Sequence, residues 1–493
     1  MISKEYIISI DLGTTLIKCI IYNSNLERLA DCSIKYNLNL KDKFVEFDAD
    51  DYWNCLKVSL KKLINQSGIN VKHIIAIGLS GQAETFVILD KKGNPLRKAI
   101  SWLDQRSDKE VEEIKKNFNE NRSYGIVGLQ KIVTTCTATK LLWLKNNEPD
   151  IYTKIKKILL LKDYVAFKFT GLFLTEYTTH NFSYYLDIYK KQYWEDILNY
   201  LGIEIKQLPE LSEPGVNVGK LTLENIKYFN FKKEVFLNIG ANDQFAGMIG
   251  VGNITEGILS ESTGTVLALA TMANSNHLNG LKKINLPVYY NALKDTYVYL
   301  MTCESGGICL EWLKNNFFKE KSFKELDQRV ARLEKGSKGL IFLPYILGTN
   351  SPEYEPNMSG GFFNIRIFHD EIYFVRAVME GIGFLIKKNL TFLEKNNIKT
   401  KSIISMGGGS KSSIWNKIKA DITGKKIIVT TENDPVGLGI AILMALELDY
   451  FTSLKSAVTQ AVHIKEEFVP EYDANYDENY KNFKKYYGYL KSS

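Results

Sequence analysis

Ile7-Ile8-Ser9-Ile10-Asp11-Leu12-Gly13-Thr14-Thr15 is the stretch on which the fold turns. Its first five residues read as a buried strand ending on an acid, and Leu12 to Thr15 as a tight turn of small residues. Ile17 to Tyr22 reads as a second strand, so the chain opens on a hairpin. Residues 51–66 follow as an amphipathic helix, with Trp53, Leu56, Leu60, Leu63 and Ile64 at helical spacing. A strand from His73 to Leu79 runs into Ser80-Gly81-Gln82, and residues 107–118 and 139–147 read as helices. Strands alternating with helices predict a mixed α/β architecture.

The second half restarts this pattern. Glu234 to Ile239 reads as a strand, Gly240 to Gln244 as a turn, and Phe245 to Val251 as a helix of small residues. A hairpin comes next, Gly257 to Glu261 and Val266 to Ala270, bent around Ser262-Thr263-Gly264-Thr265. Strand, acidic residue, small polar turn and strand repeat the N-terminal order. This is either a weak internal duplication with a boundary near residue 250 or two hairpins alike by chance. Further on, Ile403 to Met406 enters Gly407-Gly408-Gly409-Ser410, a helix carries Ile414, Ile418 and Ile422, and a strand spans Lys426 to Thr430. Gly437 to Glu447 reads as a core helix, nearly all small and apolar.

Composition narrows the class. The chain has 493 residues, 45% hydrophobic and 24% charged, which excludes a disordered chain, a coiled coil and a collagen-like fibre. No apolar run approaches the roughly 20 residues of a membrane span. The N-terminus shows no signal-peptide pattern. Six scattered cysteines lack a Cys-x-x-Cys, so neither a disulfide framework nor a zinc site is expected, and the cytoplasm is the expected compartment. The five histidines form no ligand cluster. Lys and Arg number 63 against 56 Asp and Glu, a dispersed net charge of +7 that does not predict nucleic-acid binding.

Several motifs carry chemistry. A turn such as Gly13-Thr14-Thr15 presents backbone N–H groups and hydroxyls that can cradle phosphate oxygens, and Asp11 beside it can hold magnesium. An ordinary Gly-Thr turn capped by Asp looks the same. Ser262-Thr263-Gly264-Thr265 offers the same donors, and Gly306-Gly307 a close backbone approach or a plain helix start. Gly407-Gly408-Gly409 is neither a Walker A loop nor a dinucleotide turn, yet lets a flat ring or phosphate come near the backbone. Asp243 could accept a hydroxyl proton or be a helix N-cap. Ser80 to Thr85 and Trp102 to Arg106 supply amide, carboxylate, guanidinium and an aromatic face. That inventory suits a polyol pocket, or a surface salt-bridge group beside a core Trp102.

Taken together, these motifs resemble the FGGY family of carbohydrate kinases, in order from Ile7 to about Ala445. Asp11-Leu12-Gly13-Thr14-Thr15 looks like its first phosphate loop, and Trp102-x-Asp104-x-Arg106 like its sugar-side motif. Thr139 to Trp143 and Lys162-Asp163-Tyr164 look like stretches of its first domain. Asn242-Asp243-Gln244 looks like the catalytic segment. Leu343-Pro344-Tyr345, Gly361-Phe362-Phe363 and Arg376 to Gly381 look like its C-terminal signature, and Gly407-Gly408-Gly409 like its adenosine loop.

The resemblance implies two ribonuclease-H-like α/β domains, residues 1–250 on the sugar side and 251–493 on the nucleotide side, of the actin and hexokinase type, with the active site in the cleft between them. It implies ATP and Mg2+, with Asp243 as general base and Asp11 positioning the metal. Thr14, Thr15, Thr263 and Gly264 would bind phosphates, and Gly307, Gly408 and Gly409 would line the nucleotide site. Gln82, Ala83, Glu84, Trp102, Asp104, Arg106 and Asn242 would meet the sugar. The partner implied is a small sugar or polyol, with no nucleic acid and no membrane; a homodimer is compatible with this.

The chain also departs from the family. Xylulose kinases read Gln-Met-His where it has Gln82-Ala83-Glu84, and glycerol kinases read Gln-Arg-Glu-Thr. The glycerol kinases' sugar-side tyrosine falls at Thr135. Ser262 replaces a glycine, and Gly348-Thr349-Asn350-Ser351-Pro352 stands for Gly-Glu-Arg-Thr-Pro. A xylulose-like ketose is the leading acceptor; glycerol, erythritol and an autoinducer-type polyol stay open. An actin-like or chaperone-type ATPase, or a sugar-binding regulator with a dead site, would share the hairpins but not the sugar-side motif or the acids.

Overall fold

A computed structural model of the chain describes residues 5–231, 234–273 and 286–492. Of these, the residues up to Gly252, with Val288–Tyr297 and Glu432–Val462, pack into one compact unit. Those of Asn253–Pro287, Val298–Thr431 and from His463 onward pack into a second. The sequence suggests a single division near residue 250; two later segments nevertheless pack within the first unit.

The first unit is built on a six-stranded sheet. Its strands are β1 (Tyr6–Leu12), β2 (Leu16–Asn23), β3 (Arg28–Lys35), β4 (Ile74–Gly81), β5 (Asn217–Lys220) and β6 (Phe236–Asn242), in the order β5-β6-β4-β1-β2-β3. β1, β2 and β3 form an antiparallel meander, while β1, β4 and β6 run parallel. The apolar run of β1 has no polar alternation because both faces of this central strand are covered. The helix Ala49–Ser67 covers one face, burying Trp53, Leu56, Leu60 and Leu63 against Ile8, Ile10 and Leu79. Asp48 caps its first turn and Gly68, at φ +67°, ends it. A five-stranded sheet carries the loops after Gln82 and Ile100, in the order Asn39–Lys41, Phe44–Phe47, Ala99–Ile100, Phe86–Leu89 and Lys157–Leu160.

The second unit repeats the plan. β7 (Ile258–Thr263), β8 (Leu267–Ala273), β9 (Tyr297–Cys303), β10 (Ser402–Met406), β11 (Lys426–Thr430) and β12 (Ile464–Phe468) stand in the order β9-β8-β7-β10-β11-β12. The β7–β8 hairpin is antiparallel, and β7, β10 and β11 run parallel. Read from β3 and from β9, both sheets run third, second, first and fourth strand and then a further parallel strand, β6 or β11, which is the ribonuclease-H-like arrangement and favours duplication over chance; in the first sheet β5 adds an antiparallel edge beyond β6. Among the described residues no helix is long and apolar enough to cross a membrane.

The expected core helix at Gly437–Glu447 begins two residues earlier, at Pro435, where a missing N–H costs nothing. It belongs to the first unit and packs on the helix Asp243–Gly250 with the backbones touching. A Cβ at Gly439 would overlap the Ala246 carbonyl oxygen, and one at Gly250 the Pro435 carbonyl oxygen. Gly439→Ala is therefore expected to cost about 1–3 kcal/mol, as overpacking does. The urea midpoint should fall with the slope unchanged; an unaltered midpoint would show that the helices part freely.

Candidate active site

The β1–β2 turn is braced from within the first unit. Gly13 N–H donates to the Leu16 carbonyl at 3.1 Å. The Gly13 carbonyl accepts from Tyr36 Oη and Gln82 Nε2, each at 3.2 Å. Gln82 Oε1 accepts from Thr85 Oγ1 at 2.8 Å, so this amide ties the turn to Thr85. Thr14 Oγ1 accepts from Trp102 Nε1 at 2.9 Å, while Thr15 is exposed.

Asp11 lies one residue before the end of β1, opposite Lys18 on β2 and Ser80 on β4. Its Oδ1 is buried without a hydrogen-bond partner among the described residues. Burial, and next the charge of Asp243, push its pKa up to about 7, with Lys18 opposing. Lys18 and Arg28 both pair with Asp434 at the start of the helix Pro435–Glu447. A cavity of about 200 Å³ beside Asp11 is lined by Ser9, Lys18, Asp434 and Gly437.

At the end of β6 the N-cap is Asn242, whose Oδ1 accepts from Gln244 N–H at 3.1 Å. Asp243 is thus the first helical residue and not the cap. Its own Oδ1 also accepts from Gln244 N–H, at 2.7 Å. Burial pushes its pKa up to about 6 against the pull of these hydrogen bonds. Asn242 is fixed from two further sides, with Nδ2 donating to the Gly81 carbonyl at 3.2 Å and N–H to Thr178 Oγ1 at 2.8 Å. Thr178 Oγ1 donates to Glu176 Oε2 at 2.7 Å, and Glu176 Oε1 accepts from Lys162 Nζ at 2.7 Å. Lys162 Nζ also reaches the Ile239 carbonyl at 2.8 Å, and both side chains of the ion pair are fully buried.

Glu84 occupies the left-handed region at φ +65°. Its Oε1 accepts from Thr135 Oγ1 at 2.7 Å. Burial raises its pKa to about 6, opposed by Lys140 and by Thr135. The buried Lys140 donates to the carbonyls of Thr135 at 2.7 Å and Trp102 at 3.3 Å, and burial lowers it to about 8. Ala83 has no polar side-chain atom, and its carbonyl accepts from Thr85 N–H at 2.7 Å. Asp104 and Arg106 pair with each other. Arg106 Nε and Nη2 donate to Asp104 at 2.8 and 2.6 Å, Nη2 also to Glu46 at 2.5 Å, and the guanidinium lies over Phe44 and Trp143. Asp104 also accepts from Val45 N–H at 2.6 Å. The structure therefore gathers Thr14, Gln82, Ala83, Glu84 and Trp102, and folds Asp104 and Arg106 into a buried ion pair behind them.

In the second unit two loops converge on the β7–β8 turn. Gly307 N–H donates to the Gly264 carbonyl at 2.6 Å, and a Cβ at Gly307 would come within 2.5 Å of that oxygen. From β10, Gly407 at φ +77° leads into a short 3-10 turn containing Gly408 and Gly409. A Cβ at Gly409 would lie 2.7 Å from Thr263 Cβ. The Thr263 hydroxyl faces inward, donating to Glu261 and accepting from Lys419 Nζ at 3.1 Å. Glu261 and Lys419 are a fully buried pair, and Ser405 Oγ donates to Glu261 at 2.6 Å.

Nothing in the sequence sets apart the buried lysines Lys140, Lys162 and Lys419. Thr139 to Trp143 and Lys162-Asp163-Tyr164 carried a family signal, but no periodicity marks a lysine as buried.

Residues 6–250 match the N-terminal domain model of the FGGY family of carbohydrate kinases, and residues 262–448 its C-terminal domain model. A xylulose kinase of Lactococcus lactis subsp. lactis is 30% identical over 98% of this chain and 96% of its own. One of Bacillus subtilis is 28% identical over 95% and 93%. The crystal structure of a ligand-bound xylulose kinase from Lactobacillus acidophilus superposes with a TM-score of 0.90, at 25% identity over 99% of each chain.

The chain from Lys162 to Asn242 can be tested by breaking it. Glu176→Ala leaves a buried ammonium unpaired, and a stability loss of about 3–5 kcal/mol is expected by urea denaturation. A loss under about 1 kcal/mol, within the range of an exposed pair, would remove this support from the site.

Proposed function

The chain belongs to the FGGY family of carbohydrate kinases, and on that premise we propose that it transfers the γ-phosphoryl group of ATP to a hydroxyl of a xylulose-like ketose, with Asp243 as general base. The observation that carries the reading is Asp243 itself. Asn242 is the N-cap, so the start of the helix does not rest on the Asp243 carboxylate, of which one oxygen shares the Gln244 N–H. Its pKa of about 6 leaves it ionised at neutral pH and a better base than an ordinary aspartate. The ketose comes from relatives of 28–30% identity that are named xylulose kinases.

Asp11 suits a magnesium ion. Its buried Oδ1 lacks a partner, and no group of three or more His, Cys, Asp or Glu able to hold a metal occurs among the described residues. Magnesium takes one or two carboxylates and fills its remaining positions with water and phosphate oxygens. Bound there by Asp11 with Asp243 nearby, it would neutralise charge on the phosphates. Thr14, Thr15 and the backbone at Gly264 would hold phosphate oxygens; Thr263 would act through its backbone, its hydroxyl being engaged by Glu261. Gly307, Gly408 and Gly409 would leave room for the nucleotide. Glu84 and Trp102 would meet the acceptor beside Ala83, while Gln82, Asp104, Arg106 and Asn242 would position them.

Asp243 accepts the hydroxyl proton only when ionised, so kcat should fall as pH drops through about 6 and level off above it. Asp243→Asn should lower kcat by about 10²–10⁴ with nucleotide affinity unchanged. Activity within a few-fold of the parent would eliminate Asp243 as base. In an ADP-release assay over pentuloses, hexuloses, pentitols, tetritols and glycerol, xylulose is expected to give the highest kcat/KM. A higher value for glycerol or a tetritol would overturn the ketose reading.

A further inference from the structure

Val288–Tyr297 follows β8 in sequence but packs with the unit that holds Glu84 and Asp243. It is held there by specific contacts. Val288 N–H donates to the Gly128 carbonyl at 2.9 Å. Asn181 and Tyr290 exchange two hydrogen bonds, Nδ2 to carbonyl at 2.8 Å and N–H to Oδ1 at 3.0 Å. Tyr290 Oη donates to Glu213 at 2.7 Å, and Lys191 Nζ bridges Glu213 and Asp295, each at 2.9 Å. Tyr289 is thus presented from a segment anchored on both sides.

Tyr289 is 6% exposed. Its ring lies 4.7 Å from that of Phe182 and 6.1 Å from that of Phe245, two residues beyond Asp243. Phe182 and Phe245 are themselves 6.4 Å apart, so three rings form one apolar wall beside the first turn of the Asp243 helix. Burial raises the pKa of the Tyr289 phenol most, and the Glu84 charge is the next cause.

The chemistry of the acceptor gives this position a task. A ketose carbonyl oxygen can only accept a hydrogen bond. Ionised Glu84 can only accept, and Ala83 has no polar side-chain atom. A tyrosine hydroxyl can donate. We propose that Tyr289 is an acceptor-binding residue, its ring walling the sugar pocket and its hydroxyl donating to the ketose carbonyl. This rests on the ketose kinase reading above.

Tyr289→Phe keeps the ring stack and removes only the hydroxyl. The KM for xylulose should rise about 10- to 100-fold, as when a buried acceptor is left unpaired. The inhibition constant of the matching pentitol, which has no carbonyl, and the KM for ATP should stay within two-fold. A xylulose KM within two-fold of the parent, in an enzyme that Asp243→Asn inactivates, overturns the role of Tyr289 and leaves the kinase reading standing. An equal rise in the ATP KM overturns it too, since the effect is then structural. Undiminished turnover by Asp243→Asn overturns the reading and this inference together.

Discussion

An ammonium group in a protein core must be met by charge and hydrogen bonds or it unfolds its surroundings. Lys162 is met by Glu176 and by the Ile239 carbonyl, and that requirement fixes the end of β6. Glu176 spends its second oxygen on Thr178, and Thr178 receives the N–H of Asn242. Asn242 then caps the helix, and the next residue carries a carboxylate that capping does not need. The placement of Asp243 is the last step of a chain that starts 81 residues earlier, at Lys162.

The same device supports the other loops. Lys140 draws the Thr135 and Trp102 carbonyls together beside Glu84, and Lys419 holds Glu261 and Thr263 under the β7–β8 turn. In each case a buried lysine joins segments that the sequence separates. Such pairs are poor sources of net stability compared with apolar packing, but they tolerate only one geometry. Loops that must present backbone groups and carboxylates in register gain from that restriction.

This explains what the sequence showed and what it hid. The β1–β2 hairpin, the helix over 51–66 and the Gly-rich turn after β10 were legible, because periodicity and glycine placement are local properties. Asn242-Asp243 was legible as a strand-to-helix turn, but which residue capped the helix was not. Asp104 and Arg106 matched the sugar-side motif, yet the pairing of each with the other depends on Glu46, Phe44 and Trp143 arriving from elsewhere. Nothing in the sequence marks Lys140 or Lys162 as buried, since a sequence does not reveal which polar residue is denied water. The packing of Val288–Tyr297 and Glu432–Val462 with the first unit is likewise a long-range outcome without a local mark.

The helix Pro435–Glu447 has a bearing on how the protein is made. It covers β1, β2 and β4 in the first unit, with Ile440 against Gly78 and Gly437 against Ile20 and Ser9. On the ribosome, at about 5–20 residues per second, this helix is delivered only after more than four hundred residues have emerged. Until then one face of the N-terminal sheet has no partner, and its apolar strands are open to chaperones or to neighbouring nascent chains. Completion of the first unit is therefore deferred until this helix has been made.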